Sequence, residues 1–146
     1  MKSRSSGFTL VELLNALMII GLIAALAIPN LGAMQKRARE ASTKSNMHTF
    51  QLSAEDYALR NSGAYATDAA TVAALLPDAG NEFRNPFNKQ TGNGQAWRDQ
   101  ATWARPLATG SALAGIVAYG DSAGAKYQIC GRGAAADLSL VLSTGQ

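Results

Sequence analysis

Residues 8–34 constrain this chain more than any other stretch. From Phe8 to Met34, 27 residues carry one charge, Glu12, and Leu13 to Ile28 is a run of sixteen whose only polar side chain is Asn15. About 20 helical residues cross a bilayer core, so the segment is long enough to span one. A carboxylate inside it is costly without a partner, and intramembrane ionisable groups are functional candidates by default. Pro29 has no N–H, which takes the helical partner from the Ala25 carbonyl and disfavours helical angles at Ile28. With Gly21 eight residues earlier, Gly21 to Pro29 is the weakest part of the helix, and a simple kink is tolerated there in a membrane.

What flanks the span sets the alternatives. Met1 to Gly7, MKSRSSG, is short and basic like the first region of an export signal. Ala25-Leu26-Ala27 offers an ordinary signal-peptidase site, which would leave a secreted domain beginning at Ile28. Against that cut, Glu12 lies inside the would-be signal and Pro29 two residues beyond it. Lys2, Arg4 and the terminal amine precede the span, while Lys36, Arg37, Arg39 and Lys44 follow it. Counting charge therefore favours neither orientation. The first span and its leader usually dominate, which puts the N-terminus in the cytoplasm and leaves the second basic run in want of a role.

No Gly or Pro interrupts residues 34–61, so the helix continues past the span as an amphipathic segment, residues 35–62. Met47, Phe50, Ala54, Tyr57 and Ala58 share an arc of about 100° that is expected to pack on a sheet. Almost opposite lies a second apolar strip, Met34, Ala38, Ala41, Leu52 and Leu59, broken by Asp56. A helix apolar on two sides has more partners than one small head supplies. Asn61-Ser62-Gly63 ends it, with Gly63 suited to a left-handed cap.

Residues 63–146 form the head. Asp68 is placed to cap a short helix, Ala69 to Leu76, closed by Pro77. Asn81 to Arg105 reads as a loop pinned by Phe83, Phe87, Trp97 and Trp103. Ile116 to Tyr119, Lys126 to Cys130 and Asp137 to Leu142 read as strands, with a turn over Gly120 to Gly124 and Leu138, Leu140 and Leu142 alternating. Three or four short antiparallel strands on one long helix make an α+β arrangement.

At 146 residues the chain has room for one domain, and its net charge of +3 falls to +1 without residues 1–7. No cluster of Lys and Arg large enough for nucleic acid stands out. Cys130, the lone cysteine, excludes an intrachain disulfide and reads as a small half-buried strand residue. His48 is the lone histidine, with no nucleophile or metal-ligand spacing around it, so neither an enzyme nor a cofactor is expected.

Gly7-Phe8-Thr9-Leu10-Val11-Glu12, then an apolar helix with Gly21 and Ala27-Ile28-Pro29-Asn30, resembles the processing motif of type IV pilins and type II secretion pseudopilins. Gly63-Ala64-Tyr65-Ala66-Thr67 is similar to a pseudopilin pattern, from which Ala66, standing where Pro is usual, departs. The resemblance implies a leader, residues 1–7, cut between Gly7 and Phe8 by a prepilin peptidase that then methylates the Phe8 amine. It implies single-pass storage in the inner membrane, then assembly with copies of itself and related minor subunits on a membrane platform. Glu12 would meet the Phe8 amine of a neighbour, the strip from Met34 to Leu59 would face the filament, and Gly21 to Pro29 would melt or stretch on extraction. The lone Cys excludes the terminal disulfide of many pilins. Only Asp121 and Asp137 lie where many pseudopilins hold calcium, so no metal is expected. A second reading is an anchored or secreted binding domain with its specificity in residues 81–105.

Overall fold

The structure is a computed structural model that describes residues 7–100 and 113–144. Residues 1–6, which the sequence reading assigns to a leader, and Trp103 and Arg105 of the expected loop lie outside the described residues. The chain divides into two compact units, one ending at Gln35 and the other starting at Lys36. A single helix, α1, Leu10–Arg60, contributes to both.

In the first unit α1 is apolar all round, and its large side chains from Leu10 to Met34 are exposed. An 18-residue window there has a mean hydropathy of 2.4 and is 0% buried. Such a surface requires cover by lipid or protein.

In the second unit α1 turns its other face to a sheet. Met47, Phe50, Ala54 and Ala58 are buried, with Tyr57 packed at the margin, as the arc of five predicts. Thr43 and Ser53 are also buried, and their hydroxyls donate to the carbonyls of Arg39 and Thr49 one turn back. The helix ends in a Schellman-type reversal in which the Gly63 N–H donates to the Ala58 carbonyl at 2.8 Å. The left-handed turn begins one residue before the expected glycine, since Ser62 already has φ of 57°.

Asp68 caps α2, Ala69–Ala73, as expected, with Oδ1 accepting from the Thr71 N–H at 2.7 Å. The helix is shorter than its sequence suggests: a 3₁₀ turn, Pro77–Gly80, follows it. Four strands come next: β1, Trp97–Asp99; β2, Val117–Ser122; β3, Lys126–Arg132; and β4, Asp137–Ser143. Their order is β1-β2-β3-β4, with β2, β3 and β4 antiparallel and β1 parallel to β2. The α+β arrangement of long helix and small sheet holds, but two details differ. The sheet is mixed, not wholly antiparallel, and its edge strand β1 lies inside the stretch read as loop. Three residues show no alternation; β1 is a strand because it pairs with Val117–Tyr119, far along the chain. The β2–β3 turn is also tighter than expected, because the ladder runs on to Ser122 opposite Lys126.

One sheet face meets α1. Val117, Tyr119, Tyr127, Ile129, Leu138 and Leu142 join Phe50 and Met47 in the main core, with Leu140 half-buried. Phe50 is central: its ring centroid lies 5.8 Å from Phe83, 6.0 Å from Tyr119 and 6.4 Å from Trp97. Gly131 lets strand and helix approach, since a Cβ there would sit 2.6 Å from the Met47 sulfur. Cys130, expected to be half-buried, is fully buried on the opposite sheet face with Ala118 and Val141.

Polar ties fix helix to sheet. Glu55 accepts from the Tyr127 hydroxyl at 2.5 Å and from Tyr65 at 3.2 Å. Glu40 accepts from the Ala134 N–H in the β3–β4 connection at 3.1 Å. Within that hairpin Arg132 pairs with Asp137 at 3.0 Å, both side chains being largely buried.

Candidate membrane and assembly site

Gly7, Phe8 and Thr9 precede the first helical residue, Leu10, and are exposed, so the Gly7–Phe8 bond lies outside helical hydrogen bonding. A protease that binds extended backbone finds no helix to unwind there. Phe8 itself is 73% exposed.

Glu12 occupies the first turn of α1, where its charge complements the free N–H groups. Its carboxylate accepts from the Thr9 N–H at 2.9 Å and the Thr9 hydroxyl at 2.7 Å, while the Thr9 hydroxyl also accepts from the Glu12 N–H at 3.2 Å. This is a reciprocal capping box. It gives the carboxylate a partner within its own chain, which the sequence reading overlooked. Thr-x-x-Glu before an apolar run is the signal that would have found it.

Gly21 is helical with nothing within 4 Å of where a Cβ would stand. Glycine costs about 0.5–1 kcal/mol against alanine in a helix, and no contact inside the chain requires it. The helix assignment runs through Pro29.

All five residues of the second strip are exposed: Met34 at 59%, Leu52 at 71%, Leu59 at 85%, and Ala38 and Ala41 with them. The interrupting Asp56 pairs with Arg60 one turn on, at 2.8 Å. His48 is exposed, its Nδ1 3.4 Å from Gln51 Oε1. The structure brings the Glu12 carboxylate to Thr9 and leaves all five strip residues exposed.

The apolar residues of 81–100 pack into or against the core, while most of the polar ones are exposed. Phe83 is in the core, and Trp97 packs against it. The buried Asn85 donates to the carbonyls of Gln95 at 2.7 Å and Ala114 at 2.9 Å, and accepts from the Phe87 N–H at 2.8 Å. Phe87 lies under Arg39, whose guanidinium carbon is 5.8 Å from the ring centroid, a contact between residues too far apart in the chain for any local pattern to reveal. Phe83, Phe87 and Trp97 are buried or half-buried and hold the described part of the loop down. A cavity of about 230 Å³ is lined by Asn46, Thr49, Pro77, Glu82 and Phe83. Among the described residues, no three His, Cys, Asp or Glu side chains converge as a metal site would need.

The family model of the prokaryotic N-terminal methylation motif matches residues 2–28. The chain is 32% identical over 80 residues to the type IV major pilin protein PilA of Myxococcus xanthus, covering 55% of this chain and 36% of that one. It is 33% identical over 86 residues to the type II secretion system core protein G of Aeromonas hydrophila, covering 58% and 59%. It is 35% identical over 72 residues to the type IV wide pilus major component PilA4 of Thermus thermophilus, covering 49% and 55%. The matched stretches thus span about a third to three-fifths of these relatives. No solved structure gives a significant match. These relatives are named as pilus and secretion-system components, not as enzymes. The chain carries a prepilin-type N-terminal methylation motif on a pilin-like α+β fold, and it is similar to both type IV pilins and type II secretion core proteins.

Proposed function

We propose that this chain is a structural subunit of a type IV-like filament. It is stored in the inner membrane as a single span with its N-terminus in the cytoplasm. A prepilin peptidase cuts it between Gly7 and Phe8 and methylates the Phe8 amine. It then polymerises with itself and related minor subunits on an inner-membrane platform, and works outside that membrane. The observation that carries this reading is the sheath of exposed apolar side chains on α1, from Leu10 to Met34, which begins inside the methylation motif and runs just past it. One surface serves twice, facing lipid during storage and neighbouring helices after assembly. Glu12 exchanges its Thr9 cap for the Phe8 amine of a neighbour. The segment from Gly21 to Pro29 yields on extraction, and the strip from Met34 to Leu59 contacts adjacent subunits.

Intact mass of the mature protein tests processing: loss of Met1 to Gly7 and one added methyl are expected. An N-terminus at Ile28 would establish a secreted domain instead. The capping box sharpens the assembly test, because glutamine also serves at this position of the box. Glu12→Gln should keep the cap and abolish filaments. Normal filaments from it would remove the role given to the charge. The relatives include both pilus and secretion-system components, and neighbouring genes for an outer-membrane secretin with secretion partners, or for retraction machinery, would separate the two filaments.

A further inference from the structure

The cavity on the head side of α1 is lined by hydrogen-bond acceptors and apolar walls. Asn46 turns its amide nitrogen to the Arg84 carbonyl at 2.9 Å, and Thr49 gives its hydroxyl proton to the Ser45 carbonyl at 3.2 Å. Each is left with a side-chain oxygen to accept, and both line the cavity with the Glu82 carboxylate. Pro77 and Phe83 complete the lining. At about 230 Å³ the cavity is smaller than the roughly 300–1,000 Å³ of small-molecule sites, a size that suits a single side chain.

The acids at this rim stand apart from the others. Of the ten acidic side chains, Asp78 and Glu82 alone have no hydrogen-bond or ion-pair partner among the described residues. Asp78 and Ala79 also hold left-handed backbone, with φ of 51° and 50°, directly after the Pro77 that lines the cavity. Non-glycine residues rarely adopt that conformation, yet the Asp78 side chain does nothing for its own fold.

The complement lies on the far side of the same helix. Arg37 and Lys44 are exposed, and neither belongs to an ion pair among the described residues. At about 100° per residue they fall within about 20° of each other, and about 160° round α1 from the midpoint of Asn46 and Thr49. All of these residues belong to the second unit.

We propose that the cavity receives a basic side chain, Lys44 or Arg37, from α1 of a second copy of this chain. The contact rests on the filament reading above and names one of its interfaces. The ammonium of lysine and the guanidinium of arginine are donors with no acceptor, as the lining requires, and Pro77 and Phe83 cover the methylene stem. A calcium ion is a poorer match, since it takes six to eight oxygens and has no use for apolar walls. With socket and cation on opposite sides of one helix, each copy receives on one side and offers on the other. That is a heterologous contact, the kind that builds rings or open helical arrays.

The test uses filaments sheared from cells that express the full chain. Glu82→Lys should lower their yield about tenfold while thermal unfolding of the subunit in detergent stays unchanged. Adding Arg37→Glu/Lys44→Glu should restore the yield. Oxidising filaments of Glu82→Cys/Lys44→Cys or Glu82→Cys/Arg37→Cys should give a ladder of covalent multimers, and the single variants should give none. Normal yield from Glu82→Lys, or no ladder from either pair, would overturn the contact. So would a calcium dependence of wild-type filaments that Glu82→Gln removes, which would assign the cavity to a metal ion. A wild type that makes no filaments would overturn the filament reading and the contact together, whereas wild-type filaments without the ladder sink the contact alone.

Discussion

Phe50→Ala should cost the head about 4 kcal/mol. The side chain is fully buried and touches three aromatic rings, from the loop at Phe83, from β1 at Trp97 and from β2 at Tyr119. Truncating a buried phenylalanine typically costs about 3–5 kcal/mol, comprising lost transfer energy and the cavity left behind. Placement at the junction of helix, loop and sheet argues against easy collapse of that cavity. Phe50→Leu separates the terms: it restores most of the apolar volume but forfeits the edge and tilted ring contacts, about 1–2 kcal/mol. The assay is denaturant unfolding of the full chain in mild detergent, followed by near-UV circular dichroism, with the slope checked for constancy. A loss below about 1 kcal/mol for the alanine variant would show that Phe50 does not join these elements. Equal losses for both variants would show that ring geometry, not volume, decides.

Three further outcomes follow from the head. Gly115→Ala should destabilise by at least about 2 kcal/mol in the same assay. Its φ is +82° and the new Cβ would fall 2.1 Å from Asn85 Oδ1, so tolerance would discredit the Asn85 hub. Burial raises the ionisation of Tyr119 and Tyr127 well above the ordinary phenol range, and that of Tyr65 is raised by burial and by Glu55. Their neutral forms are the ones the fold favours, so this contribution is complete below about pH 10 and is lost as pH rises through the folded values. Alkaline denaturation should therefore soften in Tyr127→Phe; an unchanged pH profile would discount the phenol cluster. Cys130, buried on the far sheet face, should resist a maleimide until denaturant unfolds the head, and rapid native labelling would contradict that packing.

Much of the fold was legible because the signals were periodic. Met47, Phe50, Ala54 and Ala58 repeat at helical spacing, and Leu138, Leu140 and Leu142 at strand spacing, and both sets face the core or its margin. β1 was not legible, since its three residues owe their conformation to a partner strand some twenty residues on. Glu55 was equally silent: on a helical wheel it is one more polar residue, and only the tertiary fold brings it the phenols of Tyr127 on β3 and Tyr65 after α1. At the membrane end the motif was visible but half-read. Thr9, three residues before Glu12, also gives the carboxylate a partner in its own chain, a short-range signal that Thr-x-x-Glu carries.

Glu55 has one more consequence. It lies on α1 between Leu52 and Leu59, the two most exposed large apolar residues of the strip within the second unit. Its carboxylate is anchored inward by tyrosines from β3 and from the turn after α1. The backbone that presents both leucines is therefore braced from behind. In the filament proposed above, a neighbour docking there would meet a preorganised surface and forfeit less conformational freedom than on an unbraced helix.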